Sequence, residues 1–588
     1  MLININAARC IGIDAESVTV EIDISNGIGI HLVGLADAAV KESLLRTVSA
    51  LTSAGYRVPG RRIVINLAPA DVHKKGAGYD LAIALGIIAA SDQAELPGLG
   101  KYMIMGELGL DGSVRDVPGA LPIAELASRL GLSGCILPVG SALQAAEIEG
   151  LDIFAVRNVQ EALLVLREQE DPSELLVFNR AQEMRRTLDR KVAPASSGGC
   201  LVDFADIVGQ DGAKRGLEIA AAGGHNVIMV GAPGSGKSSL AKALPGILPP
   251  MSRKESIVVS KIYSVAGKDS GEYGLMKRRP FRAPHYSSSL PALLGGGSGD
   301  SIMPGEVSLA QSGVLFIDEY MQMPKSVAEA LRGPLEDRVV TISRLRAKVE
   351  YPASFMLVAA ANPCPCGYYG EGDRCRCSAG ARMSYMSRLS GPVLDRIDIQ
   401  LWLHSVDPAR LVRHSGRRYA HGTSVPGNAP SGRGLEKIVA GEESRGVDTI
   451  ATGEETDGLA TIAARGQNKI ASGEESKGLA TFATGEETSA EVAARVRRAR
   501  DIQLRRFADL PITTNSEMNA DHLRRFCRLD SAGEDLLEKA MTRMGLSARA
   551  YSRILKIART IADLAGSPDI TVSHISEAIS YRFLDKVM

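Results

Sequence analysis

The stretch Val227-Ile-Met-Val230, Gly231-Ala232-Pro233-Gly234-Ser235-Gly236-Lys237-Ser238-Ser239, Leu240-Ala-Lys-Ala-Leu244 decides how the chain is read. A run of large apolar residues marks a buried strand, and Gly231 to Ser238 then satisfies G-x-x-x-x-G-K-[ST] at every fixed position. A helical pattern follows. The glycines let the loop fold back so that the backbone N–H groups of Gly231 to Ser239 point at a polyphosphate, and a helix starting near Lys237 adds its positive dipole end. In this reading Lys237 reaches the β- and γ-phosphates of ATP and the Ser238 hydroxyl holds Mg²⁺. The competing reading is a tight glycine-rich turn with a solvated lysine. The strand, loop and helix order argues against it.

Working outward, Gly313-Val-Leu-Phe-Ile-Asp318-Glu319 is an apolar run ending in two carboxylates, the pattern of a buried parallel strand with acids at its C-terminal tip. Asp318 is placed to join the Mg²⁺ shell and Glu319 to polarise an attacking water. Alone this would read as a solvated turn. Paired with the phosphate loop it reads as the acidic half of a nucleotide-hydrolysing site.

At 588 residues the chain exceeds one hydrophobic core and is expected to divide into several domains. Lys+Arg and Asp+Glu both number 68, so no global charge advertises nucleic acid, and such binding must come from local patches. The apolar run Leu81-Ala-Ile-Ala-Leu-Gly-Ile-Ile-Ala-Ala90 stops at Ser91-Asp92, too short to cross a bilayer, and no secretory leader is evident. A cytoplasmic protein with no membrane partner is expected. Its eight cysteines fit that compartment as thiols.

Residues 1–165 read as a mixed α/β domain with strands at Val18–Ile24 and Arg62–Leu67 and a helix over Asp37–Ala54. The segments Asn66-Leu-Ala-Pro-Ala-Asp71, Lys75-Gly-Ala-Gly-Tyr-Asp-Leu81 and Gly106-Glu-Leu-Gly-Leu-Asp-Gly-Ser-Val-Arg115 resemble the Lon-protease-type (ribosomal S5-like) domain. Proteolytic members use a Ser–Lys dyad, but this chain has Ala77-Gly78 and Gly119-Ala-Leu121 at those places, so a non-proteolytic relative is expected. Lys74 and Lys75 are either phosphate contacts or a solvated surface. Residues 166–202 read as a linker.

From 203 to 409 an AAA+ core is expected. Asp206-Ile-Val-Gly-Gln-Asp211 resembles the AAA+ segment that packs over adenine. The run Pro280-Phe-Arg-Ala-Pro-His285, Leu293-Leu-Gly-Gly-Gly-Ser298, Gly333-Pro-Leu-Glu-Asp337 and Ala360-Ala-Asn-Pro-Cys-Pro-Cys-Gly-Tyr368 resembles the ComM/YifB family of magnesium-chelatase-like AAA+ proteins, nearly end to end. That resemblance implies a P-loop AAA+ core with a helical lid over 490–588, assembled as a homo-oligomeric, hexameric ring. It implies that Asn362 is sensor 1, that Arg396, in Ser390-Gly-Pro-Val-Leu-Asp-Arg-Ile-Asp398, is an arginine finger, and that Arg549 is sensor 2, with Arg553 the second choice. For Arg396 the alternative is a local ion pair with Asp395 or Asp398. The chain departs from the family at Tyr286 and at Tyr320-Met-Gln-Met323, which bears on substrate contacts rather than on phosphate chemistry.

Cys364, Cys366, Cys375 and Cys377 form two C-x-C pairs within fourteen residues, able to close a tetrahedral, structural Zn²⁺ site. Free thiols or a redox-labile pair are the alternatives. Between 410 and 489, Gly-Glu-Glu-(Ser/Thr) recurs at 441, 453, 473 and 485 in a glycine-rich, polar context with too few apolar residues for a stacked core, so a disordered insertion without assignable function is expected. From Arg495 to Arg506 six arginines make the strongest basic patch, suited equally to DNA phosphates or to acidic residues of a neighbouring subunit.

The resemblance implies a DNA motor for single-stranded or branched DNA, a helicase for branch migration in recombination during natural transformation. Candidate pore contacts are Lys277, Arg278, Arg279 and Arg282, with Arg344, Arg346 and Lys348 in a hairpin. The alternative is a protein-remodelling motor of the magnesium-chelatase type, because the core fold does not fix the substrate.

Overall fold

In the computed structural model the described residues are 2–34, 37–70, 74, 76–178, 202–268, 274–297, 302–343, 348–389, 391–406 and 487–586. Lys75, Arg344, Arg346, Ser390, most of the linker and the repeats up to residue 486 lie outside them.

The first strands, Leu2–Ile11 and Asp14–Ser25, pair antiparallel over their full length around a turn at Gly12, whose φ of 61° suits glycine. They sit inside a seven-stranded mixed sheet in the order Gly29–Val33, Arg62–Ala68, Asp14–Ser25, Leu2–Ile11, Tyr102–Ile104, Gly134–Pro138, Asp152–Val156. The last three strands run parallel, each joined by a crossover as parallel pairing requires. Alternation along Asp14–Ser25 and Arg62–Ala68 puts Val18, Val20, Ile22, Ile63, Ile65 and Leu67 into the core. The apolar run that is too short for a bilayer is the helix Asp80–Ala90, buried nearly all round. Gly86 permits that packing, since a Cβ there would lie 2.4 Å from Ile22 Cδ1 and 2.7 Å from Ile5 Cδ1. Among the described residues no helix is long and apolar enough to cross a membrane.

Two compact units emerge: Met1–Leu201 with Leu248–Ala359 and Leu389–Ile397, and Val202–Ile247 with Ala360–Arg388 and Asp398–Met588. In the first unit the helix Arg253–Val265, started by a Ser252/Glu255 capping box, is tied to the N-terminal sheet region by Lys261, which pairs with Asp14 at 2.9 Å and Glu125 at 2.5 Å. The same unit holds the parallel strands Phe281–Arg282, Val314–Ile317 and the start of Met356–Ala361, and the hairpin Val339–Ser343/Lys348–Pro352. In the second unit, strands Val227–Gly231 and Ile399–Leu403 run parallel in register from Val227↔Ile399 to Gly231↔Leu403. The helix Asp211–Gly223 packs on them, and Ser489–Arg506, Ser531–Met544, Ala548–Leu564 and Val572–Ser580 form the C-terminal helical part. The fold is the mixed α/β class with parallel sheet that the sequence implies.

Candidate functional site

The phosphate loop follows the all-buried strand Val227–Gly231 and runs into the helix Lys237–Ala243. Gly234 and Gly236 take φ of 78° and 94°, conformations that would strain a side-chain-bearing residue, and so curl the backbone back on itself. Gly231 has no room for a Cβ, which would lie 2.5 Å from Leu403 O. Lys237 is 9% exposed. Its Nζ donates to Gly231 O at 2.6 Å and Ala232 O at 2.9 Å, and to Asn362 Oδ1 at 3.3 Å. Lys237 and the sensor-1 candidate therefore meet at one point. Gln210, which sequence reasoning passed over, braces the loop: its Nε2 donates to Ser235 O at 3.0 Å and His404 O at 2.6 Å. Its signal was its place in the Asp206–Asp211 segment.

Whether the loop suits a phosphate can be judged from its unmet polar atoms. Ser235 is 1% exposed, and its Oγ has no hydrogen-bond partner among the described residues. A buried hydroxyl in such a loop is costly unless an acceptor or donor meets it. A phosphate oxygen fits that need.

In the first unit, Val314–Ile317 is buried throughout and delivers Asp318 and Glu319, both half-buried, at its tip. Asp318 Oδ1 accepts from Glu319 N at 2.9 Å, and Glu319 sits at φ 50°, ψ 41°, in the left-handed region that disfavours a side-chain-bearing residue. Such outliers concentrate at functional sites.

Arg396 is buried, at 5% exposed, and is engaged within its own chain: Nη2 pairs with Glu336 and Nη1 donates to Pro392 O at 2.6 Å. Asp398 takes Arg553, and also accepts from Asn226 N at 3.1 Å and lies 3.4 Å from His225 Nδ1. Burial alone would raise the Asp398 carboxyl, but the Arg553 guanidinium overrides it and holds it far below the usual range. Burial holds the neighbouring His225 below its ordinary value, and His225 Nε2 bonds Thr560 Oγ1 at 2.9 Å. Arg549 and Arg553 both stand on Ala548–Leu564, Arg549 exposed and Arg553 turned into this cluster.

The four cysteines converge, their sulfurs lying within 4.8 Å of one another. Cys364 is 3.3 Å from Cys366 and 3.7 Å from Cys375, and Cys366 is 3.7 Å from Cys375. A ZnS₄ tetrahedron with bonds of about 2.3 Å has edges of about 3.8 Å, so the set fits Zn²⁺. The Tyr368 backbone N–H pulls the Cys366 thiol down to about 6, toward the thiolate a metal requires.

Several sequence expectations change in three dimensions. Lys74 is fully buried and donates to Pro69 O, so it is neither a surface lysine nor a phosphate contact. Of the six-arginine patch, Arg495 pairs with Glu218 and Glu487, Arg500 donates to Ala221 O at 3.0 Å and Arg506 pairs with Asp563 at 2.8 Å, while Arg497, Arg498 and Arg505 are exposed. Of the pore candidates, Arg279 is held by Glu255 and Pro249 O, Arg282 by Glu306 and Lys348 by Glu350, whereas Lys277 and Arg278 are exposed. Near Gly119, where the protease lysine would stand, the neighbouring thiol is Cys10, pushed up to about 12 by burial. It is a poor nucleophile.

A phosphate loop set on a parallel strand, with the Asn362 amide on its lysine and a helical C-terminal part, defines the class: an α/β phosphate-loop protein of the AAA+ ATPase type. Family models agree with it, "Magnesium chelatase, subunit ChlI" matching 203–411, "Subunit ChlI of Mg-chelatase" 20–141 and "Magnesium chelatase, subunit ChlI C-terminal" 486–582. YifB of Escherichia coli is 36% identical over 586 residues, covering 99% of this chain and 97% of its own. Competence protein ComM of Haemophilus influenzae is 36% identical over 578 residues, 98% of this chain and 96% of its own. DNA repair protein RadA of Aquifex aeolicus is 33% identical over only 105 residues, 18% of this chain and 22% of its own. The chain belongs to the ComM/YifB family of magnesium-chelatase-like proteins.

Proposed function

We propose that this protein is an ATP-hydrolysing ring motor that acts on DNA, a helicase that drives branch migration of recombining strands during natural transformation, in the cytoplasm. The observation that carries the ATP half is the Lys237–Asn362 pairing inside a loop whose Ser235 hydroxyl is left for a phosphate. In this reading Gly231 to Ser239 cradle the phosphates, Ser238 and Asp318 hold Mg²⁺, and Glu319 with Asn362 orients the attacking water. Bound Mg²⁺ supplies charge neutralisation at the γ-phosphate. Arg396 serves the neighbouring subunit of a hexamer, exchanging Glu336 for the γ-phosphate, and Arg549 reads the nucleotide from the lid. The functional domains are a non-proteolytic Lon-like domain over 1–165, a linker over 166–202, the ATPase core over 203–409, an insertion over 410–489 and the lid over 490–588. The cysteine set holds structural Zn²⁺.

The DNA half is supported by the similarity to a competence protein and by the exposed Lys277 and Arg278. A second reading, a protein-remodelling motor of the chelatase type, is favoured by one observation: Arg279 and Arg282 spend their charge on Glu255 and Glu306, which thins the basic surface the sequence suggested. A labelled four-way junction separates the two. With ATP and Mg²⁺ the protein is expected to resolve it into duplexes and Lys237→Ala is not. An intact junction under conditions of active ATP turnover supports the protein-remodelling reading.

A further inference from the structure

The cysteine cluster and the phosphate loop touch within one compact unit. Asn362, the amide on Lys237, is followed directly by Pro363 and Cys364, both buried. The backbone then closes a turn in which Gly367 N donates to Cys364 O at 3.0 Å. Gly367 takes φ of 87° and lies flat against the phosphate loop: a Cβ there would come 2.9 Å from Pro233 Cδ and 3.0 Å from Pro233 Cγ, with Asn362 Cγ at 3.9 Å. On the far side of the knuckle, Tyr369 packs edge-on to Trp402 at 6.3 Å, Gly370 lies close to the same indole, and the Arg382 guanidinium covers Tyr369 at 4.2 Å. Glu371 Oε1 accepts from Ser405 N at 2.8 Å. Trp402 belongs to Ile399–Leu403, the strand that pairs with Val227–Gly231 and so with the start of the phosphate loop.

The loop that would carry zinc is thus joined at its start to Asn362, and between its two cysteine pairs to Pro233 and to the strand beside the phosphate loop. Without metal, a loop made of Pro-Cys-Pro-Cys-Gly-Tyr and two further cysteines has little apolar area of its own to hold this shape.

We propose that the Cys364/Cys366/Cys375/Cys377 site is a positioning device for ATP: its Zn²⁺ sets Asn362 and braces Pro233, so that metal binding and nucleotide binding stabilise each other. The proposal rests on the zinc and ATP readings above. No ligand position stays open in a four-cysteine set, so the metal acts through geometry alone. Thermodynamic linkage makes the coupling reciprocal, and this supplies a readout that does not depend on turnover. At equilibrium, nucleotide in the loop must tighten zinc by the same factor by which zinc tightens nucleotide, and slower loss of zinc is the expected kinetic sign.

The test uses the full-length protein. Zinc per chain is measured by elemental analysis on the protein as isolated. Release into a chromogenic chelator is then timed and followed to equilibrium, with and without a non-hydrolysable ATP analogue, for wild type, Lys237→Ala and Gly367→Ala. The expected result is one zinc per chain, release slowed about fivefold or more by the analogue in wild type, and no slowing in Lys237→Ala. Gly367→Ala, which keeps all four thiols, is expected to retain its zinc but to bind the analogue more weakly and to lose the protection. A protein isolated without zinc overturns the metal reading and the proposal with it. One zinc per chain, with neither the rate nor the equilibrium of its release changed by an analogue shown to bind, overturns the coupling and leaves the metal reading standing.

Discussion

Asn362 is where the phosphate-loop chemistry can be tested at a single atom. Its amide touches Lys237 Nζ and contributes little to the loop's own closure, so Asn362→Ala is expected to leave nucleotide binding within a few-fold of wild type. It should lower kcat about 10²-fold, the scale of losing one preorganised polar group. Filter binding and steady-state ATPase, run side by side, check that split. Equal losses in both would show that the amide only holds the loop. These residues were legible in the sequence because a phosphate loop is contiguous: backbone geometry demands its glycines, and the lysine lies among them. The grip of Asp398 on Arg553 was not legible, since the partners are 155 residues apart and only the fold brings them together.

Asp80 offers a pH test. It is buried, with Arg46 Nε and Leu108 N on Oδ2 and no partner for Oδ1 among the described residues, and burial lifts its carboxyl from 3.8 to about 6. Its folded value lies above its unfolded one, so the native state holds this proton more tightly. The resulting stabilisation is fully present below pH 3.8 and is lost as pH rises through about 6. The full shift corresponds to about 3 kcal/mol. Asp80→Asn, which cannot ionise, should therefore gain on wild type in thermal midpoint between pH 4.5 and 7.5, as differential scanning fluorimetry would show. A difference constant across that range would contradict it.

At the scale of the element, periodicity predicted more than charge did. The helices and strands around the phosphate loop stand where apolar spacing puts them, and Leu81–Ala90 is the buried helix its composition requires. The helix Ser489–Arg506 was expected as a basic surface, yet three of its arginines serve the interior of their own unit: spacing showed a helix, but not which acidic partners would face it. The helix Ala548–Leu564 is secured the same way, through Arg553 on Asp398. Removing Asp398 leaves that guanidinium uncompensated, and Asp398→Ala is expected to cost about 3–5 kcal/mol, read as a lower urea midpoint. A loss under 1 kcal/mol would mean that Arg553 relaxes to water at little cost, and that the helix is held by apolar packing alone.

For the whole molecule, equal numbers of acidic and basic residues leave the proposed DNA recognition to local charge, and Lys277 and Arg278 are exposed. Lys277→Glu with Arg278→Glu should weaken junction binding and flatten its dependence on salt, because fewer phosphates are neutralised. Family membership and the α/β class were legible in long, ordered motifs. What the protein acts on was not, because a substrate path is assembled from side chains whose pairing the sequence does not display. The measurement that bears most directly on the account is the steady-state ATPase rate of the full-length protein alone, with single-stranded DNA and with a four-way junction, using Lys237→Ala as the blank. The account predicts a several-fold rise with DNA that vanishes in Lys237→Ala. A measurable basal rate indifferent to every form of DNA would contradict it.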